Sequence, residues 1–498
     1  MSVKSVLNNL GSGIKEVFSG KAEKENLFAL NGRTPLKSAL PFGLQHVLAM
    51  FAANIAPMII VFAAIGVMND SGMAVYSMLG ALFMAGLGTA IQLLIGARLP
   101  IVIGTSFTFV PIFITIGLSA GGGEAGYYTI LGSIIVGSGF ATVFSLFYKW
   151  WGKLIKPIVP AIVVLGIGLS LLASGANQFF GGSQIIGNVI SSGETGTGVP
   201  YFAYILVALA TLISAIVWYI AMPGVWKNIN IVVGILVGYA ISCCIPGMVN
   251  FSGMAIDTNN LVGPHGVFTY PHFIDFTKLR FELVPCILTS VCFIVAIIEA
   301  IGDTIALSHS GLDREPTPRE LGGAVAFDGF NSLLGSIFGA FPLTTFAQNV
   351  GIVSQTKVVN RFTIFLGAMF LVITSFFPPI ANFIYSIPDV VIGGTMVILF
   401  GNIMVVGMKS ISEQGWNDKN ILIVALSVCL GFGITIANVT VPAGLASSVS
   451  LFSSLGIGWL GDLLSNNVLN MFLIAIILSF ALPDSMRLFK KKENKDGE

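Results

Sequence analysis

Long apolar runs recur along nearly the whole chain, from near Pro41 to near Leu482, and each suffices to cross the ~30 Å hydrocarbon core of a bilayer. Lipid offers no partner to a backbone amide, so such a chain must fold as helices that satisfy their own hydrogen bonds. Fourteen runs are counted, centred near Met58, Met84, Phe109, Val136, Leu165, Ala208, Val237, Phe293, Leu333, Asn349, Met369, Val397, Cys429 and Leu473. Only 9% of the residues are charged and 55% are hydrophobic, whereas soluble domains carry ~25% charged residues. The chain therefore reads as an all-α polytopic membrane protein, with lipid around it and no nucleic-acid partner.

Cation placement orients the runs. Lys and Arg in short loops collect on the cytoplasmic side, and with both ends inside, 22 of the 24 Lys and Arg fall there. Only Lys278 and Arg280 fall outside. This predicts a plasma (inner) membrane protein with a cytosolic N-terminal tail (1–40), a first seven-span repeat (41–248), an extracellular loop (249–281), a second seven-span repeat (282–482) and a basic cytosolic tail (483–498). The first forty residues show no cleavable signal peptide. The five cysteines, Cys243, Cys244, Cys286, Cys292 and Cys429, lie in or beside apolar runs, so neither a disulfide nor a metal is expected.

Two runs are unsuited to continuous helix. Leu99 to Pro111 and Phe341 to Gly351 each open with a proline, Pro100 or Pro342, followed by β-branched residues. Ser106 and Gln348 stand six residues after their prolines, Phe107 and Asn349 seven. Counted as spans three and ten, they divide the chain into seven plus seven, and an odd number of spans turns the second copy upside down. Unwound backbone at membrane depth persists where it lines a cavity, and paired broken spans in an inverted repeat mark a transporter's binding site.

The acidic residues deep in the runs are Glu299, Asp303 and Asp328, all in the second half. A carboxylate at that depth is a functional hypothesis by default; the competing reading is a buried carboxyl satisfied by hydroxyls or helix-terminal amides. Glu299 and Asp303 are spaced i, i+4 and share one helix face. His46, the one histidine within a span, either bridges polar groups as a neutral ring or takes part in proton coupling. There is no Walker motif, no paired Cys/His ligand set and no nucleophile elbow, so neither an enzyme nor a cofactor is expected.

The stretch Gln348-Asn349-Val350-Gly351-Ile352-Val353-Ser354-Gln355-Thr356-Lys357 reads Q-N-x-G-x-x-x-x-T-K and resembles the signature of the nucleobase-ascorbate transporter family (nucleobase-cation symporter 2). Gln45-His46, Gly104-Thr105-Ser106-Phe107, Glu299 with Asp303, and Asp328 match it as well. The resemblance implies a seven-plus-seven fold with a core of spans one to four and eight to eleven. The other spans would form a gate that mediates homodimerisation, and transport would be an elevator motion of core against gate. It further implies a nucleobase site in which Glu299 and Gln348 hydrogen-bond the ring edge, and Phe107 stacks on it. Backbone amides near Phe107 and Ala347 add contacts, with Ser106 and Asn349 beside them. Asp303, Asp328 and His46 would link substrate to protons.

Pyrimidine-type relatives tend to carry His where Asp303 and Ala300 stand, so the sequence is similar to the purine branch, although Val350 and Ala300 depart from its usual pattern. The expectation is proton-coupled uptake of xanthine or urate. Uracil as substrate and sodium as coupling ion are the alternatives. An anion exchanger of the same architecture is the remote one, because no Lys or Arg lies deep in the broken spans.

Overall fold

A computed structural model of the chain describes residues 3–67, 71–152, 155–223, 227, 229–249, 261–440 and 467–483. Helix dominates, as backbone in hydrocarbon requires. The first half runs α1 (Val3–Phe18), α2 (Leu36–Ile65), α3 (Ser71–Leu94), β1 (Ile103–Thr105), α4 (Val110–Ser119), α5 (Gly123–Leu146), α6 (Tyr148–Trp151), α7 (Ile158–Phe179), α8 (Gly182–Ser192), α9 (Tyr201–Ala221) and α10 (Asn230–Cys243). The second runs α11 (Leu283–Leu312), α12 (Pro318–Ile337), β2 (Leu343–Thr345), α13 (Ala347–Thr356), α14 (Arg361–Thr374), α15 (Pro378–Tyr385), α16 (Asp389–Glu413), α17 (Asp418–Thr440) and α18 (Asn467–Ala481).

By length and composition six of the described helices suffice to cross a membrane, among them Gly72–Leu94, Tyr201–Ala221 and Leu283–Leu312. Five shorter apolar helices accompany them. Packing divides the helices in two. One group joins α5 to α11 and α12, and α14 to α2 and α3; the other joins α7 to α16 and α18, α9 to α10 and α16, and α17 to α18. The groups meet chiefly where α11 lies along α7 and α10 reaches α2.

The interruptions at β1 and β2 solve one problem twice. Each leaves backbone groups without helical partners in a buried setting, and the two strands supply them to each other as an antiparallel pair, Ile103 opposite Thr345 and Thr105 opposite Leu343. Ser106 N–H to Pro342 O (2.9 Å) and Phe346 N–H to Val102 O (3.0 Å) extend the ladder. Side chains satisfy the outward amides: Thr89 Oγ1 accepts from Ile103 N–H at 3.1 Å, and Ser332 Oγ from Leu343 N–H at 2.9 Å. Gly104 is needed at the crossing, because a Cβ there would stand 2.5 Å from the Phe346 ring and 2.8 Å from Asn54 Oδ1.

This pairing corrects the proline-based alignment. β1 begins three residues after Pro100 and β2 one residue after Pro342, so the structural counterpart of Phe107 is Ala347 and that of Thr105 is Thr345. Ladder hydrogen bonds set the register, and proline needs only a position where no amide has to donate.

The N-terminal segment is folded against the helices. Arg361, 1% exposed, donates to Leu93 O (3.0 Å), Asn31 Oδ1 and Glu16 Oε2 (2.7 Å). Glu16 Oε1 also accepts from Arg98 at 3.3 Å. The amides of Val359 and Arg361 donate to Leu27 O and Leu30 O, and Phe18 packs edge-on against Phe362 and Phe365. One carboxylate thus bridges two guanidiniums at the ends of α3 and α14. Glu16→Gln should lower stability by about 1.5–3 kcal/mol, the range for charged hydrogen bonds, measured as the thermal midpoint of the purified protein.

On the other side, the 261–281 segment is fastened to helix ends through Thr269 N–H to Phe376 O and Ile274 N–H to Ile337 O. Lys278 pairs with Glu124 at 2.7 Å, and that carboxylate holds its ammonium above the ordinary lysine value.

Candidate functional site

Glu299 lies midway along α11, the helix that packs against β2, α13 and the 3-10 turn Phe107–Phe109 that follows β1. Its Oε2 accepts a hydrogen bond from Thr108 Oγ1 at 2.8 Å. That turn is capped by Ser106, whose Oγ accepts from Thr108 N–H at 3.3 Å. Ser106 is therefore occupied locally, ending the strand and starting the turn. The Phe107 ring, 7% exposed, meets the edge of Phe400 on α16 at 5.4 Å and 82°. A carboxylate is thus fastened to Thr108, the residue next to this aromatic ring, where the strand resumes as helix.

The second broken span contributes α13, whose first residues are Ala347 and Gln348; their side chains lie outside the described residues. Asn349 is described and buried. Its amide donates to Pro100 O at 2.8 Å while its Oδ1 accepts from His46 Nδ1 at 2.5 Å. The donor role of the amide fixes the histidine tautomer with the proton on Nδ1. Asn349 thus ties α13 to α2 and to the backbone before β1, and it braces the break. His46 Nε2 is buried without a hydrogen-bond partner among the described residues.

The three carboxylates have unlike surroundings. Asp328 is saturated: Oδ1 accepts from Gln92 Nε2 (2.7 Å), and Oδ2 from Thr345 N–H (3.0 Å) and Thr345 Oγ1 (3.1 Å). Gln92 is held in turn by Ala324 O and Ala97 N–H. On the other strand Asn54 Oδ1 does the same work, accepting from Thr105 N–H (2.8 Å) and Oγ1 (3.2 Å). Asp303, 4% exposed, instead leaves Oδ2 buried with no hydrogen-bond partner among the described residues. Asp328 is built as a brace, whereas Asp303 and Glu299 each keep an oxygen without a hydrogen bond among the described residues.

Thr108, Asn54, Gln92, Thr345 and Phe400 escape sequence reading. A Ser-x-Thr capping pattern just after Gly104-Thr105 is the one local hint, pointing to Thr108. The others contribute through partners far away in the chain.

Residues 37–440 match the profile of the permease family that includes xanthine and uracil permeases. The chain belongs to this nucleobase-ascorbate transporter family. The permease is 32% identical over 427 residues to the xanthine permease XanQ of Escherichia coli (strain K12), a match spanning 83% of this chain and 87% of XanQ. It is also 32% identical over 450 residues to a xanthine permease of Bacillus subtilis, spanning 88% and 95% of the two chains. In fold it resembles the transmembrane domain of the cyanobacterial bicarbonate transporter BicA, with a TM-score of 0.54 at 14% identity over 89% of this chain and 97% of that one. That identity is too low to carry function, so the likeness establishes a helical polytopic transporter fold. The permease is thus an integral membrane transporter, and the enzyme classes fall away.

Proposed function

We propose that this permease takes up a purine nucleobase, xanthine or urate, across the plasma membrane by proton-coupled symport. The observation that carries the reading is Glu299, hydrogen-bonded to Thr108, the residue next to Phe107, on the helix that packs against both broken spans. A flat neutral heterocycle needs an aromatic face and directional acceptors at its edge, and this junction offers both. The xanthine permeases named above support the substrate class.

In this reading the fourteen spans form an inverted seven-plus-seven repeat. The packing group built on α2–α5 and α11–α14 is the mobile core, and the group built on α7, α9, α10 and α16–α18 is the gate. The repeat-related buttresses Thr89 and Ser332 support the first statement, and the division of helix contacts supports the second. Gln348 and the amides at Phe107 and Ala347 complete the ring contacts. Asp303, whose buried Oδ2 has no hydrogen bond among the described residues, is the proton carrier, and His46 and Asp328 hold the core around it. Gate helix Tyr201–Ala221, only 28% buried, presents the face for a second copy of the chain, and both termini are cytoplasmic.

Uptake of labelled xanthine into proteoliposomes should rise with an inward proton gradient, persist when choline replaces sodium, and be displaced by urate more strongly than by uracil. Dependence on sodium would replace the coupling ion, and displacement by uracil alone would move the permease to the pyrimidine branch. Buried Arg361 offers no anion site, since its donors are taken by Glu16, Asn31 and Leu93 O at the start of α14.

A further inference from the structure

Thr108 carries the one side-chain hydrogen bond that reaches Glu299 among the described residues. Its side chain is 2% exposed, and its backbone is set by the Ser106 cap immediately after β1. A threonine hydroxyl has a single proton. Donated to Oε2 at 2.8 Å, it pins one lobe of the carboxylate and leaves Oε1 free of hydrogen bonds among the described residues. The clamp joins α11 to the first broken span, so Glu299 and the Phe107 face keep one relative orientation as their helices move together.

We propose that Thr108 is a positioning residue for recognition. By holding Oε2 of Glu299 it aims Oε1 at a ring N–H of a planar heterocycle lying against Phe107. The proposal rests on the nucleobase reading for the identity of the ligand, but the clamp itself can be tested without any ligand.

The experiment compares Thr108→Val, which keeps the shape and loses the hydroxyl, with Thr108→Ser, which keeps the hydroxyl. In the ligand-free protein, the infrared carboxyl band of Glu299 is identified by difference against Glu299→Gln. In proteoliposomes, KM and Vmax are measured for labelled xanthine. Val is expected to shift the band and raise KM about tenfold with Vmax within about twofold, while Ser leaves both as in the unaltered protein. A merely structural role would lower the thermal midpoint and Vmax without that split. An unmoved band in Thr108→Val, or Ser behaving as Val, overturns the assignment. If the unaltered protein takes up no nucleobase, the transport reading falls on its own, and the infrared band still decides for or against the clamp. Should the Val protein not fold, Thr108→Ala serves in its place.

Discussion

Xanthine binding by Glu299→Gln should fall about tenfold or more, with the thermal midpoint nearly unchanged. Gln keeps a carbonyl for the Thr108 hydroxyl, which donates to Oε2 at 2.8 Å, so the local clamp survives. What disappears is the acceptor at Oε1. A buried donor left unpaired costs ~1–3 kcal/mol, and ~1.4 kcal/mol is a factor of ten in affinity. The amide also presents a second donor toward a ring N–H that needs an acceptor, which pushes the loss further. Equilibrium binding of labelled xanthine to detergent-solubilised protein measures it. Full affinity in a folded Glu299→Gln protein would remove Glu299 from the site and leave the Phe107 face without its acceptor.

Asp328→Ala has the largest expected effect on stability, a loss of at least about 3 kcal/mol. Three donors converge on that carboxylate, from Gln92 and from the amide and hydroxyl of Thr345. Each buried donor left unpaired costs ~1–3 kcal/mol. Asn is a poor substitute: turning its oxygen to Thr345 sets its NH2 against the Gln92 NH2, whose own oxygen is already taken by Ala97 N–H at 3.0 Å. Asp328→Asn should therefore also lower the midpoint, and uptake should fall in proportion to the folded fraction. An Asn protein with an unchanged midpoint whose uptake no longer follows the proton gradient would make proton transfer the main duty of Asp328, ahead of bracing.

Much of this was readable in advance because bilayers penalise polar groups so heavily. A long apolar run marks a candidate span, and a carboxylate such as Glu299 in the middle of one calls for an explanation. The two prolines flagged the broken spans for the same reason. They misled on register by two residues, because pairing is set by ladder amides and by the hydroxyls of Thr89 and Ser332, whose distant partners no local pattern reveals. The N-terminal segment read as a cytosolic tail. Nothing local in it shows that Glu16 is the counter-ion of the buried Arg361, across more than three hundred residues of chain.

Sequence alone determined the membrane class, the helical architecture, the positions of the breaks and the residue types available at them. Hydropathy and helix-breaking are local properties, summed over a window, and so survive without knowledge of neighbours. The tertiary structure decided which polar groups are spent and which are left over. Asp328 and Asn349 are consumed in holding the strands, Asn54 spends its oxygen there, Asp303 Oδ2 has no hydrogen bond among the described residues, and Glu299 is half-clamped by Thr108. That division depends on which donors arrive within ~3 Å of each acceptor, and hydrogen bonds so short and directional between distant parts of the chain leave no periodic trace in its sequence.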